Sequence, residues 1–304
     1  MLEGVKVLVT GATGQVARPI AEQLNGPCEV WAAARFSDAA AKEELESQGI
    51  NTVFYSLEES ELSHLPEVDY VIHCGCNTDP KTPEQGLLQN AEGPGFLMQR
   101  YRDVKAFFHM SSSSVYALAG DPSAAISEDA QLGGFASYSP HYAMSKQSAE
   151  AVVRFQARAL NLPAIIARLD VAYGSHGHGG APMALVEFMK HGIPYQRSEQ
   201  GDSFCSPIHE DDIVAQVQGL LMHASVPAQT VNLGGDEPVA MEQILAYIES
   251  LTGLKATVNS GPQATWQMTV LDNNKRKKLA GPCRVQWQDG IQRALRARYP
   301  ELLN

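Results

Sequence analysis

VKVLVT-GATGQVA, residues 5–17, decides the fold. Val5 to Thr10 form a short apolar run that reads as a buried strand, and it passes directly into a glycine pair. Gly11 permits a tight turn out of the strand. Gly14 leaves no side chain between a pyrophosphate and the backbone N–H groups at the start of the next helix. Those N–H groups and the helix dipole favour an anion there. Thr13, Gln15 and Val16 complete the turn, and Ala17 is small enough for close helix–strand packing. A Gly-x-x-Gly pair alone is a weak signal; its place between an N-terminal strand and a helix makes it a dinucleotide turn.

Outward from this turn the rhythm repeats. EVWAAAR (29–35), NTVFYS (51–56), DYVIHC (69–74), VKAFFHM (104–110), PAIIARLD (163–170) and QTVNLG (229–234) read as further buried strands. Helices are expected at 15–25, 38–48 (ending at Gly49), 142–160, 181–191, 210–223, 241–252 and 289–298. The pattern is α/β: a doubly wound, Rossmann-type parallel sheet of about seven strands, with a smaller C-terminal substrate lobe. Residues 1–174, with 205–235 returning, are expected to form the dinucleotide-binding domain. Residues 175–204 and 236–304, where the alternation breaks, are expected to form the substrate-binding lobe.

Composition bounds the partners. The 304 residues carry 23 Lys/Arg against 34 Asp/Glu, a net charge of −11. Such a chain is a poor match for a polyanion, so no nucleic-acid partner is expected. No run reaches membrane-spanning length, so no membrane partner is expected. Five scattered cysteines (28, 74, 76, 205, 283) fit a reduced, cytoplasmic chain. From Lys275 onward eight Lys/Arg face two Asp/Glu, which reads as a solvated helix face.

Two further features carry chemistry. The end of the second strand, Ala34-Arg35-Phe36-Ser37, offers no carboxylate for an adenosine ribose 2′-hydroxyl. Arg35 suits a 2′-phosphate instead, which favours NADP(H) over NAD, with NAD as the alternative. Pairing of Arg35 with Glu22 or Glu29 is the competing explanation. The strand 104–110 ends in Ser111-Ser112-Ser113-Ser114, where α/β proteins bind ligands. Thirty residues after Ser112, Tyr142 and Lys146 stand at i and i+4, on one helix face. A nearby ammonium favours a phenolate, which suits a tyrosine to proton exchange.

With these pieces in this order, the chain resembles the extended short-chain dehydrogenase/reductase family, the NAD(P)-dependent epimerase/dehydratase group. The resemblance rests on GATGQVA (11–17), VIHCGC (71–76), Asn90, SSSSVYA (111–117), YAMSK (142–146), RLDVAYG (168–174), IHEDDI (208–213) and VNLGGDEPV (231–239). It implies a Ser/Tyr/Lys catalytic set. Tyr142 would exchange a proton with a substrate oxygen, and Lys146 would hold the nicotinamide ribose. Ser112, with Ser113 as the neighbouring alternative, would hydrogen-bond the same oxygen. It further implies Ser56 and Leu57 beside the adenine, and Cys74, Gly75 and Cys76 along the dinucleotide. Leu169 and Val171 join the implied cofactor contacts, as do Tyr142 and Lys146. It also implies a homodimer through the helices that carry Asn90 and Tyr142.

The departures bear on substrate. Nucleotide-sugar members carry Asn where Val171 stands and Arg where Cys205 stands. Two missing polar anchors favour a less charged substrate, although Arg197 stands close enough to substitute. The expected substrate pocket comprises Asn77, Thr78, Ser113, His141, Tyr173, His176, Met183 and Phe204, with 174–182 as a lid. No metal site is expected from His176 and His178. Cys74 and Cys76 read as strand-end packing, and Asp211 and Asp212 as helix capping. The expected activity is NADP(H)-dependent interconversion of a carbonyl and a secondary alcohol on a small or mid-sized organic substrate. The alternatives are a nucleotide-sugar epimerase or dehydratase with retained NAD(P), and a non-catalytic dinucleotide-sensing protein on the same fold.

Overall fold

The computed structural model describes residues 2–134, 139–199 and 201–303; Gln200, inside the expected lobe segment 175–204, lies outside the described residues. The seven apolar runs form one sheet: β1 (Lys6–Thr10), β2 (Glu29–Ala34), β3 (Asn51–Phe54), β4 (Tyr70–His73), β5 (Ala106–Ser112), β6 (Ala164–Leu169) and β7 (Gln229–Leu233). The spatial order is β7-β6-β5-β4-β1-β2-β3, and every neighbouring pair is parallel. The order reverses between β1 and β4, so the crevice beyond their carboxyl ends is the ligand position of this topology.

The helices are α1 (Ala17–Leu24), α2 (Ala39–Ser47), α3 (Pro83–Gly86), α4 (Gly93–Arg100), α5 (Tyr142–Ala159), α6 (Gly180–His191), α7 (Glu210–Leu221), α8 (Met241–Thr252), α9 (Asn274–Ala280) and α10 (Trp287–Arg298). Alternation along β1 sends Val7 and Val9 to one face, where they meet Ile20 and Leu24 of α1 and Val217 and Leu220 of α7. Leu8 points to the other face, against Leu97 and Met98 of α4 and Val153 and Ala157 of α5. Full burial of each such large side chain contributes ~1.5–3 kcal/mol. A third apolar core joins Tyr173, Met183, Val186 and Tyr195 to Met241, Ile244, Ile248, Ile291 and Leu295.

Two stretches depart from expectation. Residues 83–100 are helical, α3 passing through a π-helical segment (Leu87–Glu92) into α4. Gly86, Gly93, Pro94 and Gly95 hide the helix from propensity, but the small residues serve packing: a Cβ on Gly95 would sit 2.9 Å from Val152 Cγ1 of α5. The basic tail is also not simply a solvated face. Arg276 is fully buried, donating to Asp236 and to Gly281 O (2.8 Å). Lys275 Nζ donates to Thr230 O (2.6 Å), and Arg293 pairs with Asp211.

Candidate active site

The glycine turn closes as its sequence dictates. Gly11 has φ +73°, Gly14 N donates to Gly11 O (2.8 Å), and a Cβ on Gly11 would fall 2.8 Å from Gly75 Cα. The turn after β1 and the loop after β4 therefore touch backbone to backbone, which only glycines allow. Thr10 Oγ1 joins them, accepting from Gly75 N (3.2 Å) and bonding His73 Nδ1 (2.7 Å). Leu57 Cδ2 lies 3.3 Å from where a Gly75 Cβ would be, so Leu57 borders the same crevice. Ser56 N donates to Glu59 (3.1 Å). Gln15 Nε2 donates to Ala172 O (2.8 Å).

Arg35 is exposed just past β2, and among the described residues it forms no ion pair. Its proposed competitors are occupied elsewhere: Glu22 pairs with Arg18 and His176, and Glu29 with Lys6. Asp38, the next carboxylate, caps α2 through Ala40 N (3.0 Å). The crevice thus offers glycine backbone for a pyrophosphate and an uncommitted guanidinium beyond it, which fits a dinucleotide.

On the far side, Asn90 fixes the loop after β4 to α5. Its Oδ1 accepts from Asn77 N (2.7 Å), and its Nδ2 donates to Asn77 O (2.8 Å) and Ser145 Oγ (2.9 Å). Asn77 Nδ2 donates to Gln89 (2.7 Å), while Thr78 is exposed on the same loop. Cys76 packs against Tyr142 and Ala143, and burial pushes the Cys74 thiol up to about 12. All five cysteines are free. A buried Lys146 one turn after Tyr142 donates from Nζ to Met110 O (2.6 Å), two residues before Ser112. Burial lowers the Lys146 pKa, opposed by Cys76 and Glu150. The Tyr142–Lys146 face of α5 therefore lies along the strand that ends in Ser112.

The serine run is braced from behind. Ser111 Oγ donates to Glu150 Oε1 (2.7 Å), and Arg168 grips both Glu150 oxygens (2.9 and 2.8 Å). Ser112 Oγ accepts from Ser114 N (3.2 Å) and Ser114 Oγ (2.9 Å). In front of the run opens a cavity of about 130 Å³, lined by Ser112, Ser113, Ser114, Tyr116, Leu118, Asp170, Val171 and the stretch 266–269. Asp170 accepts from Ser113 Oγ (2.9 Å) and Ser206 N (2.6 Å).

Several expected pocket residues lie elsewhere. Tyr173 and Met183 are 1% exposed, in the third core. Phe204 pairs in a short antiparallel ladder with Ala240. His141 is half-buried at the start of α5. His176 is held between Glu210 Oε2 (2.9 Å) and Glu22 Oε2 (3.0 Å), and these bonds push it up to about 9 against the opposing effect of burial. Residues 175–180 thus pack on the glycine turn rather than over the cavity: a Cβ on Gly177 would lie 2.9 Å from Gln15 Cβ, and Arg298 donates to Ser175 O (2.9 Å) and Gly177 O (2.7 Å). His178 Nδ1 accepts from Gly180 N (3.2 Å). Nor do the aspartates cap α7. His209 Nδ1 accepts from Asp211 N (3.2 Å), and Asp212 instead accepts from Arg284 N and Val285 N. Sequence reasoning missed Asp170, Tyr116, Leu118 and 266–269. Asp170 had a readable signal, one position past β6 at the carboxyl edge of the sheet; 266–269 had none.

A profile of the NAD dependent epimerase/dehydratase family matches residues 7–234, from the first strand through the last. The chain belongs to that family. It is an NAD(P)-dependent enzyme, which sets aside the dinucleotide-sensing alternative. A curated relative, the uncharacterized UDP-glucose epimerase YtcB of Bacillus subtilis (strain 168), is 25% identical over 189 residues, 59% of this chain and 56% of that protein. The match thus spans little more than half the curated relative's length. Among solved structures, a UDP-glucuronic acid 4-epimerase from Bacillus cereus with UDP-glucuronic acid and NAD is 22% identical (TM-score 0.80, 96% of this chain and 98% of that one). A UDP-glucose 4-epimerase from Thermotoga maritima with UDP-glucose is 19% identical (TM-score 0.80, again 96% and 98%). At these identities the likeness is one of fold. Among the described residues no helix is long and apolar enough to cross a membrane.

Proposed function

We propose that this family member acts on a nucleotide-linked sugar, as an epimerase or dehydratase that retains its dinucleotide between turnovers. The observation that carries the reading is local: Ser112 lines a cavity at the sheet's carboxyl edge, and Lys146 anchors the Tyr142 face of α5 to the same strand. The family, the curated relative and the UDP-sugar complexes of similar fold support it. Ser112 hydrogen-bonds the reacting oxygen, and Tyr142 takes its proton and later returns one. Lys146 orients the cofactor ribose and favours the phenolate of Tyr142. Gly11, Thr13, Gly14, Gln15 and Val16 receive the pyrophosphate; Ser56, Leu57, Cys74, Gly75, Cys76, Leu169 and Val171 flank the dinucleotide. The bound nicotinamide supplies the hydride acceptor and donor. Arg35 selects NADP(H), because among the described residues its guanidinium forms no ion pair and the first carboxylate after β2, Asp38, is engaged in capping α2. The third core, from 173–205 and 239–303, forms the substrate lobe, and a homodimer through α4 and α5 belongs to the same proposal, with Phe155 of α5 66% exposed.

A second reading, net reduction of a carbonyl with exchangeable NADPH, is favoured by the cavity wall, which holds Val171 and, among the described residues, no Lys or Arg. Arg197, the substitute anchor, is paired with Glu242 (3.2 Å). The two readings separate in one assay: UDP-glucose is incubated with enzyme, and both sugar products and free NADPH are followed. Sugar turnover without net NADPH change is the expected result; stoichiometric NADPH loss with a ketone and no sugar turnover favours the second reading. Tyr142→Phe lowers kcat by about 10²–10⁴-fold under either reading, and unchanged turnover would remove Tyr142 from the mechanism.

A further inference from the structure

Asp170 is a carboxyl with hydrogen bonds but no cation. Ser113 Oγ and Ser206 N each occupy one of its oxygens (2.9 and 2.6 Å), and among the described residues no Lys, Arg or His pairs with it. A carboxylate has about four acceptor sites, so capacity remains on the side facing the cavity. Burial pushes its pKa up to about 7, so it carries a charge above neutral pH, and among the described residues no cation offsets that charge. The same cavity is lined by Gln267 and Thr269, whose Oε1 and Oγ1 are buried and without hydrogen-bond partners among the described residues. Buried polar atoms left unmatched are costly, and these two, with the open acceptor sites of Asp170, define the complement of a ligand. Asp170 and Gln267 Oε1 both present acceptors, so the missing group is a donor.

We propose that Asp170 sets the charge accepted by this cavity: it binds a hydroxyl or ammonium of the substrate and rejects a carboxylate. The inference rests on the sugar reading above and narrows its substrate class to neutral or amino sugars, excluding uronic acids. The similarly folded Bacillus cereus enzyme binds UDP-glucuronic acid; this chain presents an acid of its own to the ligand.

The test is calorimetric titration of the cofactor-loaded enzyme with UDP-glucose, UDP-glucosamine and UDP-glucuronic acid. Wild type is expected to bind the first two at least about tenfold tighter than the third, because like charges in a partly desolvated site repel. Asp170→Asn narrows that ratio to under about threefold, and Asp170→Glu, which keeps the charge, preserves it. Equal binding of UDP-glucuronic acid by wild type, or a ratio untouched by Asp170→Asn, overturns the proposal. If no UDP-sugar binds, the sugar-nucleotide reading fails, and the same charge series is run with aminoacetone, hydroxyacetone and pyruvate. Pyruvate binding as well as the others, or no binding by any of the six, then overturns the role of Asp170.

Discussion

Ser111 and Ser113 stand two positions apart, and each donates to a carboxyl, Glu150 at 2.7 Å and Asp170 at 2.9 Å. Behind the serine run, burial works to raise the Glu150 pKa, but hydrogen bonds from Arg168, Ser111 and Arg154 and the charge of Arg168 hold it below the usual carboxylate range. Arg168 in turn stacks over the Tyr116 ring at 4.7 Å and donates to Glu128 O (3.0 Å). In front of the run, Asp170 has no cation partner among the described residues, and burial pushes it up to about 7. One strand end thus separates a region whose charges are matched within the fold from a rim whose charges await something else. The matched side gives the strand end its rigidity, and the rim gives it chemistry.

Breaking the matched side has the largest expected consequence. Arg168→Met leaves Glu150 buried with the Ser111 hydroxyl and, among the described residues, the partly exposed Arg154 as its one cation, and is expected to cost about 3–5 kcal/mol in urea unfolding. Adding Glu150→Met recovers most of that loss; a single-variant loss below 1 kcal/mol would mean that the web braces nothing. The exposed end of β2 behaves differently. Arg35→Ala leaves unfolding unchanged and weakens NADPH binding by about tenfold, with NADH unaffected. Equal weakening of both nucleotides would detach Arg35 from the 2′-phosphate.

The smallest effect belongs to a pair between these extremes. His176 is raised to about 9 by Glu210 and Glu22, so its stabilisation is complete below its unfolded value near 6.5 and is lost as pH rises through 9. His176→Gln is expected to cost about 1 kcal/mol at pH 6 and nothing at pH 10. A deficit that persists at pH 10 would assign His176 a packing role instead.

The same contrast explains what could be read from the chain. All seven sheet strands and the glycine turn were legible, because each depends on a run of neighbours: the apolar run into Gly11 needs only local sterics. The proposed roles of Ser112, Tyr142 and Lys146 come from their order along the chain, which carries the family pattern. The cavity's far wall was not. Residues 266–269 reach Ser112 through the third core, whose partners lie far apart in sequence. Tyr173 and Met183 misled for a related reason. Aromatic and thioether side chains suit a substrate pocket and a core equally well, and the fold buried them. Asp211 and Asp212 stood at a helix start as caps should, yet His209 was already there.

The clasp on residues 175–180 sets an order of events during synthesis. Gln15 leaves the ribosome well before Arg298, whose guanidinium holds Ser175 O and Gly177 O against that turn and which follows about 280 positions later. At 5–20 residues per second the interval is about 15 s to a minute. Throughout it the β1–α1 turn can form but its cover cannot close. Any nucleotide captured by a nascent chain therefore meets the turn without the clasp until α10 docks.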